Sequence, residues 1–245
     1  MRQILILILV IINLQAEDKK QNVTIGAGAF FQSQPYKNVD ADIIASPVIF
    51  FDNSIIYVRW TRAGVYFLGD KEGDFAWGFS LTAQPRVYGY KSNDISGMDE
   101  RKKTFEGGLA FSLKKDSAYI ETMLLTDILD RHDSWILKSE MGIDFKAGHF
   151  SFYPSLILVY ESSKFLNYYY GVKKSEELGS RKEYSPNDGL MVGVQTYIKY
   201  PITQDISTLI NLRVDKLSNE ATSSPIVNDD YIYSGLLSLI YTFKY

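Results

Sequence analysis

Through most of this chain, apolar and polar residues alternate with a period of two. In residues 231–245, Tyr231, Tyr233, Gly235, Leu237, Leu239, Tyr241, Phe243 and Tyr245 fall on one face, while Ser234, Ser238, Thr242 and Lys244 share the other with Ile232, Leu236 and Ile240. In residues 75–87, Phe75, Trp77, Phe79, Leu81, Ala83, Pro85 and Val87 oppose Ser80, Thr82, Gln84 and Arg86. Trp135, Leu137, Met141, Ile143 and Phe145 oppose Lys138, Glu140, Asp144 and Lys146. The division returns in residues 150–161, with Phe150, Phe152, Leu156 and Leu158 against Ser151, Ser155 and Glu161, and in 206–215, with Ile206, Ile210 and Leu212 against Asp205, Asn211, Arg213 and Asp215. Such alternation predicts β-strands with a different environment on each face. Charges on the second face exclude a dry core there, because an ionised group in a low-dielectric interior must be paired or neutralised. A water-filled lumen meets that need. A strand of about 10 residues tilted across a bilayer, with aromatics near its ends, has this make-up. A soluble β-sandwich would also alternate, but with shorter strands. The pattern therefore predicts an all-β transmembrane antiparallel β-barrel.

Connection lengths predict its topology. Short connections at Pro201-Gln204, Ala147-Gly148, Lys114-Asp116, Gly69-Asp74 and Asp52-Asn53 fall on one side. Long ones fall on the other: Gln32 to Asp40, Tyr90 to Lys103, Ile128 to Asp133, Ser162 to Asp188 and Leu217 to Asp230. Short turns in the periplasm and long loops outside are the bacterial arrangement. The count is about twelve strands with both termini periplasmic, provided that Ser54 to Leu68 divides at Trp60-Thr61-Arg62. If that stretch is one bulged strand, a ten-stranded barrel with two non-spanning segments is the alternative.

The ends and the composition agree with this placement. Met1-Arg2, an apolar run from Ile4 to Leu14 and the small-residue motif Leu14-Gln15-Ala16 predict a signal peptide over residues 1–16, leaving 17–245 as the barrel. The run is shorter than the roughly 20 residues of a spanning helix. The chain then ends on an aromatic, which resembles the sorting signal of outer-membrane barrels, so the expected location is the cell outer membrane of a Gram-negative bacterium. Tyrosine and phenylalanine number 18 and 14, yet no later apolar run approaches helix-spanning length. The formal charge of −3, with basic residues scattered among acidic ones, gives no sign of nucleic-acid binding. Cysteine is absent, which excludes disulfides, thiol chemistry and cysteine-ligated metal. The pattern sets no oligomeric state.

Candidate chemistry is sparse. His149, Ser151 and Glu161 share one strand face and are the residue types of a serine hydrolase. They face the lumen rather than lipid, and twelve residues at about 3.3 Å each separate His149 from Glu161. No catalytic residue is therefore assigned. His132, in Asp130-Arg131-His132-Asp133, reads as a solvated loop residue. No histidine pair has metal-ligand spacing, and neither Asp229-Asp230 nor Asp70-Asp74 matches an ordered calcium loop, so no metal or cofactor site is assigned. The luminal set Arg86, Lys138, Glu140, Asp144, Lys146, Asp205, Arg213 and Asp215 has mixed signs, which favours pairing that closes the interior over an ion-lined pore. Tyr168-Tyr169-Tyr170-Gly171 reads as an aromatic girdle where a strand leaves the membrane.

Four separated segments resemble the MipA/OmpV family of outer-membrane proteins. Gly26-Ala27-Gly28-Ala29 with Pro35-Tyr36 and Ser46-Pro47 is similar to its opening run, and Ile95-Ser96-Gly97-Met98 with Glu106-Gly107-Gly108 to its centre. Phe165 to Val172, FLNYYYGV, followed by Glu176 or Glu177, Tyr184 and Ser185-Pro186-Asn187-Asp188, matches most closely. Ser224-Pro225-Ile226-Val227, Gly235 and Tyr241-Thr242-Phe243 resemble the ending, with Lys244-Tyr245 added. The resemblance implies a non-catalytic scaffold or adaptor in peptidoglycan growth. Its partners would be outer-membrane lipid, a lytic transglycosylase and a bifunctional murein synthase. It transfers no catalytic, cofactor or metal residue. A small diffusion channel for solutes or antibiotics is the alternative function, and an outer-membrane lipid hydrolase the third.

Overall fold

The protein is an outer-membrane barrel of twelve antiparallel strands, described in a computed structural model over residues 22–71 and 75–244. The signal peptide expected over residues 1–16 lies outside the described residues. The strands are β1 (Asn22–Gln32), β2 (Asp42–Asp52), β3 (Ile56–Arg59), β4 (Arg62–Asp70), β5 (Phe75–Arg86), β6 (Thr104–Lys115), β7 (Ala118–Asp127), β8 (Trp135–Ile143, resumed as Phe145–Ala147), β9 (Phe150–Glu161), β10 (Gly189–Pro201), β11 (Ile206–Lys216) and β12 (Tyr231–Lys244). Each pairs with the next, and β12 closes on β1 from Asn22↔Lys244 to Gln32↔Ser234. At this seam Gly28 is required, since a β-carbon there would sit 2.5 Å from Cβ of Ser238.

The alternation behaves as the pattern predicts. Phe79, Leu81, Leu137, Leu156, Leu212, Leu237 and Leu239 are exposed on the outer face, whereas Ser80, Glu140, Ser155, Asn211, Asp215 and Ser238 are buried within. Short turns and long loops fall on opposite ends, as their lengths require. The Trp60-Thr61 division is also present, and it makes β3 only four residues long. Asn53 Oδ1 accepts from the N–H groups of Ile55 and Ile56 at 3.1 and 2.8 Å, turning the chain back up after β2. Trp60 then adopts φ +56° and reverses it at once, between Arg59 and Arg62. The β3–β4 hairpin consequently ends part-way up the wall. Above it, among the described residues, β2 has no strand partner on that side from Asp42 to Val48, and β5 has none from Gln84 to Arg86.

Candidate functional site, a capped luminal cavity

The long loops do not stand free in water. They fold together over the outer mouth as a cap with its own apolar core. Helix α1 (Ser163–Tyr170) buries Phe165, Leu166, Tyr169 and Tyr170 on the inward-facing stripe of its two turns. Tyr36, Tyr88, Tyr90, Ile95, Met98, Leu217, Ile226 and Val227 pack into the same cluster from three other loops. Tyr168 to Tyr170 therefore belong to this helix and not to an aromatic girdle: Tyr169 and Tyr170 are fully buried. The girdle reading fails because a helix turn, invisible to a period-two search, redirects the rings of Tyr169 and Tyr170 inward and leaves Tyr168 half-buried against the same cluster.

Polar contacts lock the loops to one another. Arg101, from the β5–β6 loop, donates to both carboxylate oxygens of Glu176, from the β9–β10 loop, at 2.9 Å, with both side chains under 5% exposed. Glu176 also accepts from the N–H groups of Asp99 and Lys173, each at 2.9 Å. Helix α2 (Asn219–Thr222) joins in through Glu220, whose carbonyl accepts from Tyr184 Oη at 2.7 Å and whose carboxylate accepts from Asn187 N–H at 2.9 Å. Lys37 N–H donates to the Ile226 carbonyl at 2.9 Å. Burial holds the hydroxyls of Tyr36, Tyr88 and Tyr170 neutral well past the usual tyrosine range.

His132 is part of this cap, which corrects its reading as a solvated loop residue. Its ring is buried, with Nδ1 2.6 Å from Ser134 Oγ and the ring 5.3 Å from that of Phe165. Desolvation is the largest influence on it and lowers its pKa, outweighing the nearby Asp127 carboxylate.

Beneath the cap, a cavity of about 1240 Å³ runs down the lumen to residues at the periplasmic rim, including Asn22, Asp52, Asn53 and Lys199. Several of its charges are paired along the wall. Glu121 receives Arg59 at 3.1 Å and Arg62 at 2.6 Å. Arg59 also reaches Asp52 at 3.0 Å and Tyr66 Oη at 2.7 Å. Glu140 accepts from Tyr119 Oη, Ser155 Oγ and Gln195 Nε2 at 2.7 to 3.0 Å. Higher up, Arg213 pairs with Asp215 at 2.8 Å, and Arg86 with Glu106. Within the set singled out in the sequence, ion pairing holds for Arg86, Arg213 and Asp215, Asp144 lies 3.7 Å from Lys114, and Glu140 is held by neutral donors instead. The pairing nonetheless leaves the lumen hollow. It is the loops, not the luminal charges, that cover the outer mouth.

His149 and Ser151 sit at the periplasmic end of β9, beside Lys146 and Gly148, whereas Glu161 is at the outer end of the same strand. The structure does not bring these three together. Among the described residues, no group of three His, Asp or Glu side chains gathers as metal ligands would. What sequence reasoning missed is the cap as an assembly, above all Arg101 and its pairing with Glu176, which enters the sequence reading only within a family motif. The signal was the density of tyrosines in the long connections.

The profile of the family described as MltA-interacting protein MipA matches residues 25–243. The chain belongs to this family. Among its relatives, the putative outer membrane protein YiaT of Escherichia coli K12 is 27% identical over 84% of this chain and 85% of its own length. The MltA-interacting protein of the same strain is 28% identical over 91% of this chain and 90% of its own. Outer membrane protein OmpV of Vibrio cholerae is 27% identical over 62% of this chain and 59% of its own.

Proposed function

We propose that this protein is a non-catalytic outer-membrane scaffold that holds a lytic transglycosylase and a murein synthase at the periplasmic face during peptidoglycan growth. The observation that carries this reading is the asymmetry of the two ends. The outer mouth is covered by a cap with a buried core, whereas the cavity and short exposed turns face the compartment where murein enzymes work. A relative bearing the name MltA-interacting protein supports the same direction. The docking surface is then the periplasmic turns, of which residues 72–74 lie outside the described part. Photo-crosslinking residues introduced at Asp116, His149 and Thr203, all exposed in those turns, test it in cells. Capture of both enzymes is the expected result; capture of neither, with the barrel correctly inserted, ends the reading.

The hollow lumen favours a second reading, a small diffusion channel. Conductance of the purified protein in a planar bilayer separates the two. Steady ion flux through the wild-type barrel supports the channel, and its absence supports the capped scaffold.

A further inference from the structure

The missing stretch of wall above the β3–β4 hairpin has chemically distinct edges. Trp60 N–H donates to the Ile49 carbonyl at 2.7 Å, which sets the phase of β2. Main-chain groups of a strand alternate sides, so those of Ile43, Ala45 and Pro47 face the same unpaired edge. Across the gap, the Phe105 carbonyl of β6 is taken on its far side by Ile128 N–H. The Pro85–Phe105 rung is therefore not hydrogen-bonded, and the main chain of Pro85 faces the gap. Each flank thus places a residue without an N–H on its exposed edge. The Pro47 carbonyl is occupied as well, accepting from Ser46 Oγ at 3.2 Å. Prolines on an edge refuse an added strand, so a strand from a partner or a second copy is a poor occupant.

The depth of the gap identifies a better one. Ala45 is level with Ala29 and Leu237, and Pro47 with Ala27 and Leu239, and both leucines are exposed on the lipid face. The gap therefore lies in the hydrocarbon band, where acyl chains are the solvent. Residues 44–47 on one flank and 84–88 on the other all border the luminal cavity. Ile44 points inward with Ser46 and Val48, yet it is 38% exposed because no strand screens it. Just inside, Trp60 Nε1 donates to Ser46 Oγ at 2.9 Å, and its ring meets Phe30 edge-on at 5.4 Å and packs on the apolar cluster of Val48 and Leu236. The small side chains of Ala27, Ala29, Ala45 and Pro47 leave a shallow outer approach. With the cap over the outer mouth, hydrocarbon from the membrane reaches this luminal patch only sideways.

We propose that an acyl chain of a membrane lipid enters the lumen between β2 and β5 and packs on Ile44, Trp60 and Phe30. The chain has three tryptophans, at positions 60, 77 and 135. A W77F/W135F variant, in which Trp60 alone emits, and a W60F/W135F variant, in which the outward Trp77 alone emits, would be folded into phosphatidylcholine vesicles with and without brominated acyl chains. The expected result is loss of Trp60 emission in brominated vesicles to the same order as Trp77, and a several-fold smaller loss when Ile44→Lys places a charge in the gap. Quenching of Trp77 alone overturns the proposal. So does Trp60 quenching that Ile44→Lys leaves unchanged, which would mean that bromine acts through the wall. Protection of Trp60 that grows with protein density assigns the gap to a second copy, and quenching by a free brominated alkane but not by the brominated lipid assigns it to an apolar solute; either result overturns the lipid assignment.

Discussion

Glu176→Ala should release the cap while leaving the barrel folded. The carboxylate of Glu176 receives four hydrogen bonds at 2.9 Å: two from Arg101 and one each from Asp99 and Lys173. Its removal strands a guanidinium that is 4% exposed. Taking one partner from a buried ion pair costs about 3–5 kcal/mol, most of it the penalty of the charge left behind. At 1.4 kcal/mol per tenfold, the open fraction of the cap rises on the order of a hundred- to several-thousand-fold. Amide hydrogen exchange reads this directly at Val172 and Tyr184, whose main chains bond each other at 2.8 and 2.9 Å within the loop that carries Glu176. Both amides should exchange faster by that factor, while barrel amides of β1 and β12 stay protected. An Arg101→Met, Glu176→Leu double variant should recover the part due to the stranded charge, though not the bonds from Asp99 and Lys173. Exchange at Val172 and Tyr184 within about threefold of wild type in Glu176→Ala would refute the argument that this pair holds the cap, since even the low end of the range exceeds it.

Three further expectations follow from the same geometry. The folded pKa of His132 is lowered from 6.5, so the unfolded cap binds the extra proton more readily. Cap stability is then level above the unfolded value and falls as pH drops through it toward the lowered one; Asp127, Glu106 and Asp133 temper the effect and Arg86 adds to it. Limited proteolysis of loop 128–134 at roughly pH 8 and about pH 5 should show faster cutting in acid, and His132→Gln should flatten the difference. Gly28→Val should cost about 1–3 kcal/mol of overpacking at the β1–β12 seam and lower the yield of heat-modifiable folded barrel on gels. Pro47→Val with Pro85→Val restores two edge donors, and cross-linking in vesicles should show more self-association than wild type; an unchanged monomer would contradict edge protection by proline.

Much of the wall was legible in the sequence because strand alternation is a local property. The phases of 75–87, 135–146 and 231–243 each follow from neighbours two residues apart, and the sides of the turns follow from loop length. The division at Trp60-Thr61 follows only from the even strand count, not from any turn residue at that point. What stayed hidden depends on distance in the chain. Arg101 and Glu176 lie 75 residues apart, and Tyr36 meets Tyr170 only after four loops converge. His132 reads as solvated because a loop between strands is ordinarily wet, and Tyr168 to Tyr170 read as a girdle because a period-two search does not register a helix turn; in both cases the loops supply one another with a core.

By itself, the sequence determined that this protein is an outer-membrane barrel, because lipid outside and water inside impose a period of two on every crossing strand. The tertiary structure decided whether that barrel is covered and whether its wall is complete. Both depend on where separate strands place their ends. The β3–β4 hairpin leaves β2 and β5 unpaired above Phe50 and Ala83, and loops separated by up to about 200 residues, such as those of Tyr36 and Val227, close over the mouth. No local pattern encodes such placements, since they arise from register accumulated around the closed sheet.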